Sequence, residues 1–194
     1  MRGNLKKYNN KNIIQRALVN NFLKNISNAI SKTNATRILD AGCGEGMVGK
    51  YLISKNNKLH ICGMDIDEEA IKEARDCNVY FDLKKGDIHS LDYGSKEFEL
   101  VLVLEVLEHL PDMEKAIIET KRVAGKYCIY SVPFEPYFRI CNFLRGRHIT
   151  AFGNTPEHVW NWGPKGFMKL LKPYFNKKIK LTISFPWMIA ICEV

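Results

Sequence analysis

The sequence predicts an α/β fold: a Rossmann-like, doubly wound, mostly parallel sheet with helices on both faces and an antiparallel C-terminal hairpin. Three observations predict it. Short β-rich runs alternate with amphipathic helical stretches between residues 36 and 132, the pattern of a parallel sheet with crossover helices. The first β-rich run ends in Asp40-Ala-Gly42-Cys43-Gly44-Glu-Gly46. Glycines there free the backbone for a tight turn and for close approach of a ligand. The chain has 194 residues, 46% of them hydrophobic and 26% charged, which suits one domain with a real core and modest additions.

Each element follows in order. Ile13, Ile14, Ala17, Leu18, Phe22, Leu23, Ile26 and Ile30 recur at helical spacing and predict an amphipathic helix over 12–30. After the polar break at Ser31 to Ala35, Thr36 to Ala41 is the first strand. Gly46 to Ser54 reads as helix, and Leu59 to Met64 as a second strand closing on Asp65. Glu68 to Cys77 is a helix with Asp67 as its N-cap. Val79 to Leu83 is a third strand. Phe98 to Leu104 has the unbroken apolar character of a strand covered on both faces. A helix over 112–124 is entered after Pro111 and stopped by Gly125, and Tyr127 to Val132 is a fifth strand. Residues 133–163 then break the rhythm with three prolines, many aromatics and the basic residues Arg139, Arg145, Arg147 and His148. A long excursion at this position is often functional, and an amphipathic lid helix is expected within it. Gly166 to Lys172 returns to helix before Pro173, and Ile179 to Ser184 pairs with Trp187 to Glu193 around a turn holding Pro186.

Composition bounds the function. Lys and Arg number 29 against 21 Asp and Glu, a net charge of +8 and a pI near 9.1. That balance favours anionic partners, although a general abundance of Asn and Lys lowers its weight as a sign of nucleic acid. No run of 18 apolar residues is present, so membrane insertion is not expected. The opening residues lack the apolar core of a leader. The six cysteines are scattered, with no C-x-x-C pair, which suits a reducing compartment. A cytoplasmic protein is expected.

The chemistry-bearing residues fall at strand ends, where ligands of open α/β sheets bind. Gly44-Glu-Gly46-Met-Val-Gly49 also satisfies G-x-G-x-x-G, with Asp65 near the ribose-acid spacing of a dinucleotide site. Charge separates the readings. A pyrophosphate at this helix N-terminus would be crowded by Asp40 and Glu45, whereas a cationic ligand would be welcome. Asp65 closes the second strand, where a carboxylate can accept both hydroxyls of a ribose. Gly86-Asp87-Ile88 follows the third strand. Leu104-Glu105-Val-Leu-Glu108-His109-Leu-Pro111 follows the fourth, and its histidine fits either a general base or a capping role. Pro156-Glu157-His158-Val-Trp160-Asn-Trp162-Gly-Pro-Lys165-Gly-Phe167 leads into the late helix.

With this context, Asp40 to Gly46 resembles motif I of the class I S-adenosylmethionine-dependent methyltransferases. Leu104 to Pro111 resembles the E-V-L-E-H-L segment of their type 11 group, related to quinone-biosynthesis enzymes. The resemblance covers nearly the whole chain, but only its cofactor half carries assigned roles. It implies S-adenosylmethionine as cofactor. The binding residues it implies are Asp40, Gly42, Cys43, Gly44 and Gly46 in the loop, Asp65 and Ile66, Asp87 and Ile88 at the adenine, and Glu105 near the methionine end. The acceptor side then falls to His109 and His158, moving a methyl to oxygen or carbon, with a small molecule as the expected acceptor. The single methyltransferase domain divides into an N-terminal helical cap (1–34), a cofactor-binding half (35–132), a substrate-side lid insertion (133–163) and a closing helix and strands (164–194).

A subgroup, the small-RNA 3′-terminal 2′-O-methyltransferases, holds a divalent metal with Glu-x-x-Glu-His and a later His. Glu105, Glu108, His109 and His158 match those positions, and Trp162 and Phe167 fall at matching offsets. The sequence departs from that subgroup at Glu157, where it has Asp, and at Val159-Trp160, where it has Phe-Glu. No recognised RNA-binding module is appended. A metal-free site is therefore the expectation and nucleic acid is not favoured, with metal-assisted RNA methylation as the alternative. A nicotinamide-dependent oxidoreductase and a non-catalytic S-adenosylmethionine-binding module are further alternatives. The sequence does not fix the oligomeric state.

Overall fold

The computed structural model of the chain describes residues 13–144 and 159–194. Helix α1 (Ile13–Ser31) precedes β1 (Arg37–Ala41), α2 (Met47–Lys55), β2 (His60–Asp65), α3 (Glu68–Asp76), β3 (Asp82–Lys85) and β4 (Phe98–Leu104). A single 3-10 turn (Leu107–His109) follows, then α4 (Met113–Val123), β5 (Ala124–Pro133), α5 (Tyr137–Leu144), α6 (Pro164–Leu171), β6 (Ile179–Ser184) and β7 (Trp187–Glu193). The strands form one seven-stranded sheet in the order β3-β2-β1-β4-β5-β7-β6. Strands β1 to β5 pair in parallel, and β7 lies antiparallel between β5 and β6. The expected doubly wound sheet and closing hairpin are both present.

The central strands are buried on both faces because successive side chains point to opposite sides of a pleated sheet. Leu39, Val101, Val103, Tyr130, Met188 and Ala190 face one core, which α4 and α6 complete with Ala116, Ile117, Phe167 and Leu171. Ile38, Leu100, Leu102, Ile129 and Ile189 face the other, completed by Phe22, Leu23, Ile26 and Ile30 of α1 and Leu52 of α2. The apolar spacing that predicts α1 is thus the stripe it buries. Asp67 caps α3 as the sequence predicts, accepting the Glu69 and Ala70 amides.

Two boundaries differ from the sequence reading, each for a packing reason. The sequence predicts the third strand over 79–83, but β3 begins at Asp82, opposite Cys62. Asn78 turns the chain at φ 47°, and Tyr80 is spent beneath the glycine loop instead of in the ladder. The sequence also predicts that Gly125 separates helix from strand. Instead β5 starts at Ala124, directly after α4. Gly125 lies inside the strand, where a Cβ would stand 3.2 Å from the Phe98 carbonyl oxygen, and the register with β4 shifts between Phe98 and Leu100.

All six cysteines carry free thiols. Among the described residues, no helix is long and apolar enough to cross a membrane.

Candidate functional site

Sheet register brings the candidate residues to one edge. Asp40 pairs with Gly63 of β2 and Leu102 of β4, so the C-terminal ends of these strands lie side by side at the point where strand order reverses. Leu104 pairs with Ser131, which adds the end of β5. The loop after β1, Asp65, Glu105 and the turn at Leu107–His109 all emerge there.

The loop is held from beneath by β2. The Gly42 and Cys43 amides both donate to the Met64 carbonyl, at 2.7 and 3.0 Å. The Gly44 amide donates to Asp65 Oδ2 at 2.8 Å, and the Gly46 amide returns to the Cys43 carbonyl at 3.1 Å. Gly42, Gly44 and Gly46 all have positive φ (86°, 52° and 79°), a conformation that side chains resist. Gly42 is also crowded, since a Cβ would sit 2.4 Å from Val106 Cγ2. The glycines therefore serve the shape of the loop and its packing on the protein.

Asp65 accepts a second amide, that of Asp67, on Oδ1 at 2.9 Å. An ionised carboxylate offers about four lone-pair sites, so acceptor capacity remains on a half-buried group at the mouth of the site. Burial pushes its pKa up, opposed by the Gly44 and Ile66 amides. Ile66 beside it is exposed. Asp40 differs. It is only 2% exposed, lies behind the loop, and accepts the Tyr80 hydroxyl on Oδ2 at 2.9 Å. Burial raises its pKa to about 7, with the Tyr80 hydrogen bond opposing and nearby Asp65 adding to the rise. Burial likewise pushes the Cys43 thiol up.

Asp87 extends from the end of β3, where the Gly86 amide bonds the Asp65 carbonyl at 2.9 Å. Its Oδ1 is engaged by the amide and Nδ1 of His89, at 2.9 and 2.7 Å, and these contacts lower its pKa. Ile88 is buried in the core on the α4 face.

Glu105 directly follows β4 with φ 58°, its amide bonded to the carbonyl and hydroxyl of Ser131. Its Oε2 accepts the Trp187 indole N–H. Glu108 is fully buried, whereas His109, the next residue, is exposed. His158 lies outside the described residues, as do Arg145, Arg147 and His148. The chain immediately after His158 is fastened to this turn: the Val159 amide donates to the Glu108 carbonyl at 2.8 Å, and Trp160 Nε1 donates to the Leu110 carbonyl at 3.0 Å. Among the described residues, no group of three His, Cys, Asp or Glu side chains forms a metal site.

Three residues with a hand in the site were not singled out from sequence. Tyr80 reads there as a strand residue and Trp187 as a hairpin residue. Glu135, after β5, is buried and accepts the Arg139 amide at 3.3 Å; burial raises its pKa. Only its acidic character beside Pro136 marked it. The third glycine of the formal G-x-G-x-x-G is also explained. A Cβ on Gly49 would meet the Tyr80 ring and hydroxyl at 2.7 Å, so that position makes room for a tyrosine of this chain.

Comparison with known proteins shows what the chain is similar to. Residues 39–128 match the family described as a methyltransferase domain. A small RNA 2′-O-methyltransferase of Schizosaccharomyces pombe is 26% identical over 176 residues, covering 76% of this chain and 46% of that protein. A ubiquinone biosynthesis O-methyltransferase of Idiomarina loihiensis is 28% identical over 148 residues, covering 71% and 56%. The chain spans about half the length of these curated relatives. Among solved structures, magnesium protoporphyrin IX methyltransferase from Synechocystis PCC 6803 with bound SAH superposes with a TM-score of 0.72 at 16% identity, over 97% of this chain and 91% of that one. That likeness concerns the fold.

Proposed function

We propose that this chain, whose residues 39–128 match a methyltransferase domain, is a class I S-adenosylmethionine-dependent methyltransferase that moves the methyl group of S-adenosylmethionine to an oxygen or carbon acceptor on a small molecule. The observation that carries this reading is the loop of three positive-φ glycines tied by the Gly44 amide to Asp65 at the switch point of the sheet. The residues fit the cofactor. Asp65 retains acceptor capacity for ribose hydroxyls, and the concave loop Gly42 to Gly46 would receive the amino-acid end. In this reading Asp65 and Ile66 would hold the ribose side, Asp87 and Ile88 the adenine, and Glu105 would lie near the methionine end. Asp40 and Glu45 suit a cation there and repel a dinucleotide's pyrophosphate, which disfavours the oxidoreductase alternative.

The bound cofactor supplies an electrophilic methyl on a sulfonium; the protein supplies orientation and electrostatics. Held against that methyl, an oxygen acceptor loses its proton to a nearby base. His109 is exposed beside the site and suits this role, with His158 as its partner in the proposal. An activated carbon acceptor needs less assistance. Helices α1 and α5 would close over the cofactor and exclude water. The experiment is calorimetric titration with S-adenosylhomocysteine on the wild type and Asp65→Ala. Clear wild-type binding that the variant loses is the expected result. A folded wild type that binds none overturns the reading.

A second reading, metal-assisted 2′-O-methylation of RNA, rests on one observation. The backbone next to His158 is bonded to the Glu108 carbonyl, so Glu105, Glu108, His109 and His158 belong to linked segments. Carboxylate and imidazole donors in that number would suit Mg²⁺ or Mn²⁺, which could lower the pKa of a ribose hydroxyl. The likeness to the yeast small RNA 2′-O-methyltransferase supports it. Mn²⁺ titration of the wild type and Glu108→Gln separates the two readings. Stoichiometric binding lost in the variant favours RNA, and no binding favours the small molecule.

A further inference from the structure

Tyr80 is the centre of an arrangement that joins the glycine loop, α2, β2 and Asp40. Its ring lies where Gly46 of the loop, Gly49 of α2 and Gly63 of β2 meet. A Cβ on these would stand 3.1, 2.7 and 2.9 Å from that ring. Three glycines on three separate elements thus make room for one side chain. The ring also abuts the loop from below, together with Ala74 of α3. At its tip the hydroxyl donates to Asp40 Oδ2 at 2.9 Å. Asp40 in turn is fixed in the ladder between β2 and β4. The chain therefore places a hydrogen-bonded carboxylate immediately behind the loop that takes the cofactor.

We propose that Tyr80 is a positioning residue for the cofactor: its hydroxyl holds Asp40 as a carboxylate behind the glycine loop, and that charge sets the affinity for the cationic amino-acid end of the ligand. This inference rests on the S-adenosylmethionine reading above. The groups facing Asp40 are few. Tyr80 comes from the α3–β3 connection, Asp65 from the end of β2 and Cys43 from the loop, while β4 presents the apolar Leu102. Burial disfavours the Asp40 charge and Asp65 repels it, whereas the Tyr80 hydroxyl favours it. Removing that hydroxyl leaves burial and Asp65 without this opposition, so the carboxylate protonates at higher pH. A cation binding at the loop favours the ionised form, so binding below neutrality releases a proton.

The test is calorimetric titration with S-adenosylhomocysteine from pH 5.5 to 8.5, in buffers of different ionisation enthalpy, on wild type, Tyr80→Phe and Asp40→Asn. Tyr80→Phe keeps the ring that fills the glycine slot, so the fold is preserved. In the wild type, affinity is expected to fall as pH drops through about 7, with proton release at the lower pH. In Tyr80→Phe the midpoint moves up by about one pH unit, the equivalent of one charge-assisted hydrogen bond, and affinity at pH 7 drops several-fold. In Asp40→Asn the pH dependence disappears. A Tyr80→Phe profile superimposable on the wild type, or pH dependence retained in Asp40→Asn, overturns the role of Tyr80 while leaving the cofactor assignment intact. Absence of binding by the wild type at every pH overturns the cofactor assignment itself, and this inference with it.

Discussion

The indole N–H of Trp187 donates to Glu105 Oε2 at 2.5 Å, joining residues 82 positions apart. Trp187 begins β7, and Glu105 directly follows β4 in a left-handed conformation. The same indole ring packs on Phe22 of α1 and Phe138 of α5, at 4.9 and 6.2 Å between centroids. One side chain thus connects both helices of the proposed cover to the carboxylate at the floor of the site. Trp187→Phe keeps the apolar contact and deletes the donor. A stability loss of about 1–3 kcal/mol is expected, the cost of disturbing a half-buried carboxylate. Turnover is expected to fall further than cofactor affinity. Urea unfolding and steady-state kinetics measure the two, and unchanged turnover would exclude a role for this bond in positioning Glu105.

Gly42 sits at φ 86°, with Val106 where its Cβ would be. Gly42→Ala therefore meets two penalties, backbone strain of about 1–3 kcal/mol and a collision with Val106. Adding Val106→Ala relieves the second and leaves the first. The double variant is expected to recover part of the stability but little of the S-adenosylhomocysteine affinity. Full recovery of binding would show that steric crowding, not loop conformation, governs the site.

Asp40 makes stability depend on pH. Its folded pKa of about 7 lies above the ordinary 3.8, chiefly because of burial. A raised folded value means that its contribution is whole below the unfolded pKa and is lost as pH rises through the folded one. Asp40→Asn is therefore expected to stabilise the ligand-free protein at pH 8 by roughly 1–4 kcal/mol, with the gain fading towards pH 4. Denaturant melts across that range check it. A variant less stable than the wild type at pH 8 would mean that the carboxylate is well solvated.

Asp67 separates capping from cofactor binding. Its side chain caps α3, while its backbone amide donates to Asp65. Asp67→Ala should cost about 0.5–2 kcal/mol of stability and change S-adenosylhomocysteine affinity by no more than about twofold, because the amide remains. A large loss of affinity would give the Asp67 carboxylate a direct part in binding.

Local patterns made much of this legible. The glycine loop, Asp65 at a strand end, the Asp67 cap and the α1 stripe depend on residues close in sequence, whose spacing encodes conformation directly. The strand character of Val79, Tyr80 and Phe81 starts β3 too early in a local reading, and nothing nearby in sequence reveals the slot awaiting Tyr80. A glycine after a helix ordinarily ends it, which starts β5 too late in a local reading, whereas here the backbone of β4 approaches too closely for a side chain.

The sequence by itself determined the alternation of strands and helices, the order of the motifs and the edge of the sheet to which they belong, since periodicity and turn chemistry are local properties. The tertiary structure decided which groups those residues meet. Asp40 faces Tyr80, Glu105 faces Trp187, and Gly42, Gly46 and Gly49 yield space to Val106 and Tyr80. These are contacts between elements far apart in the chain, fixed by strand order and by the face each side chain takes, and spacing along the sequence carries no record of them.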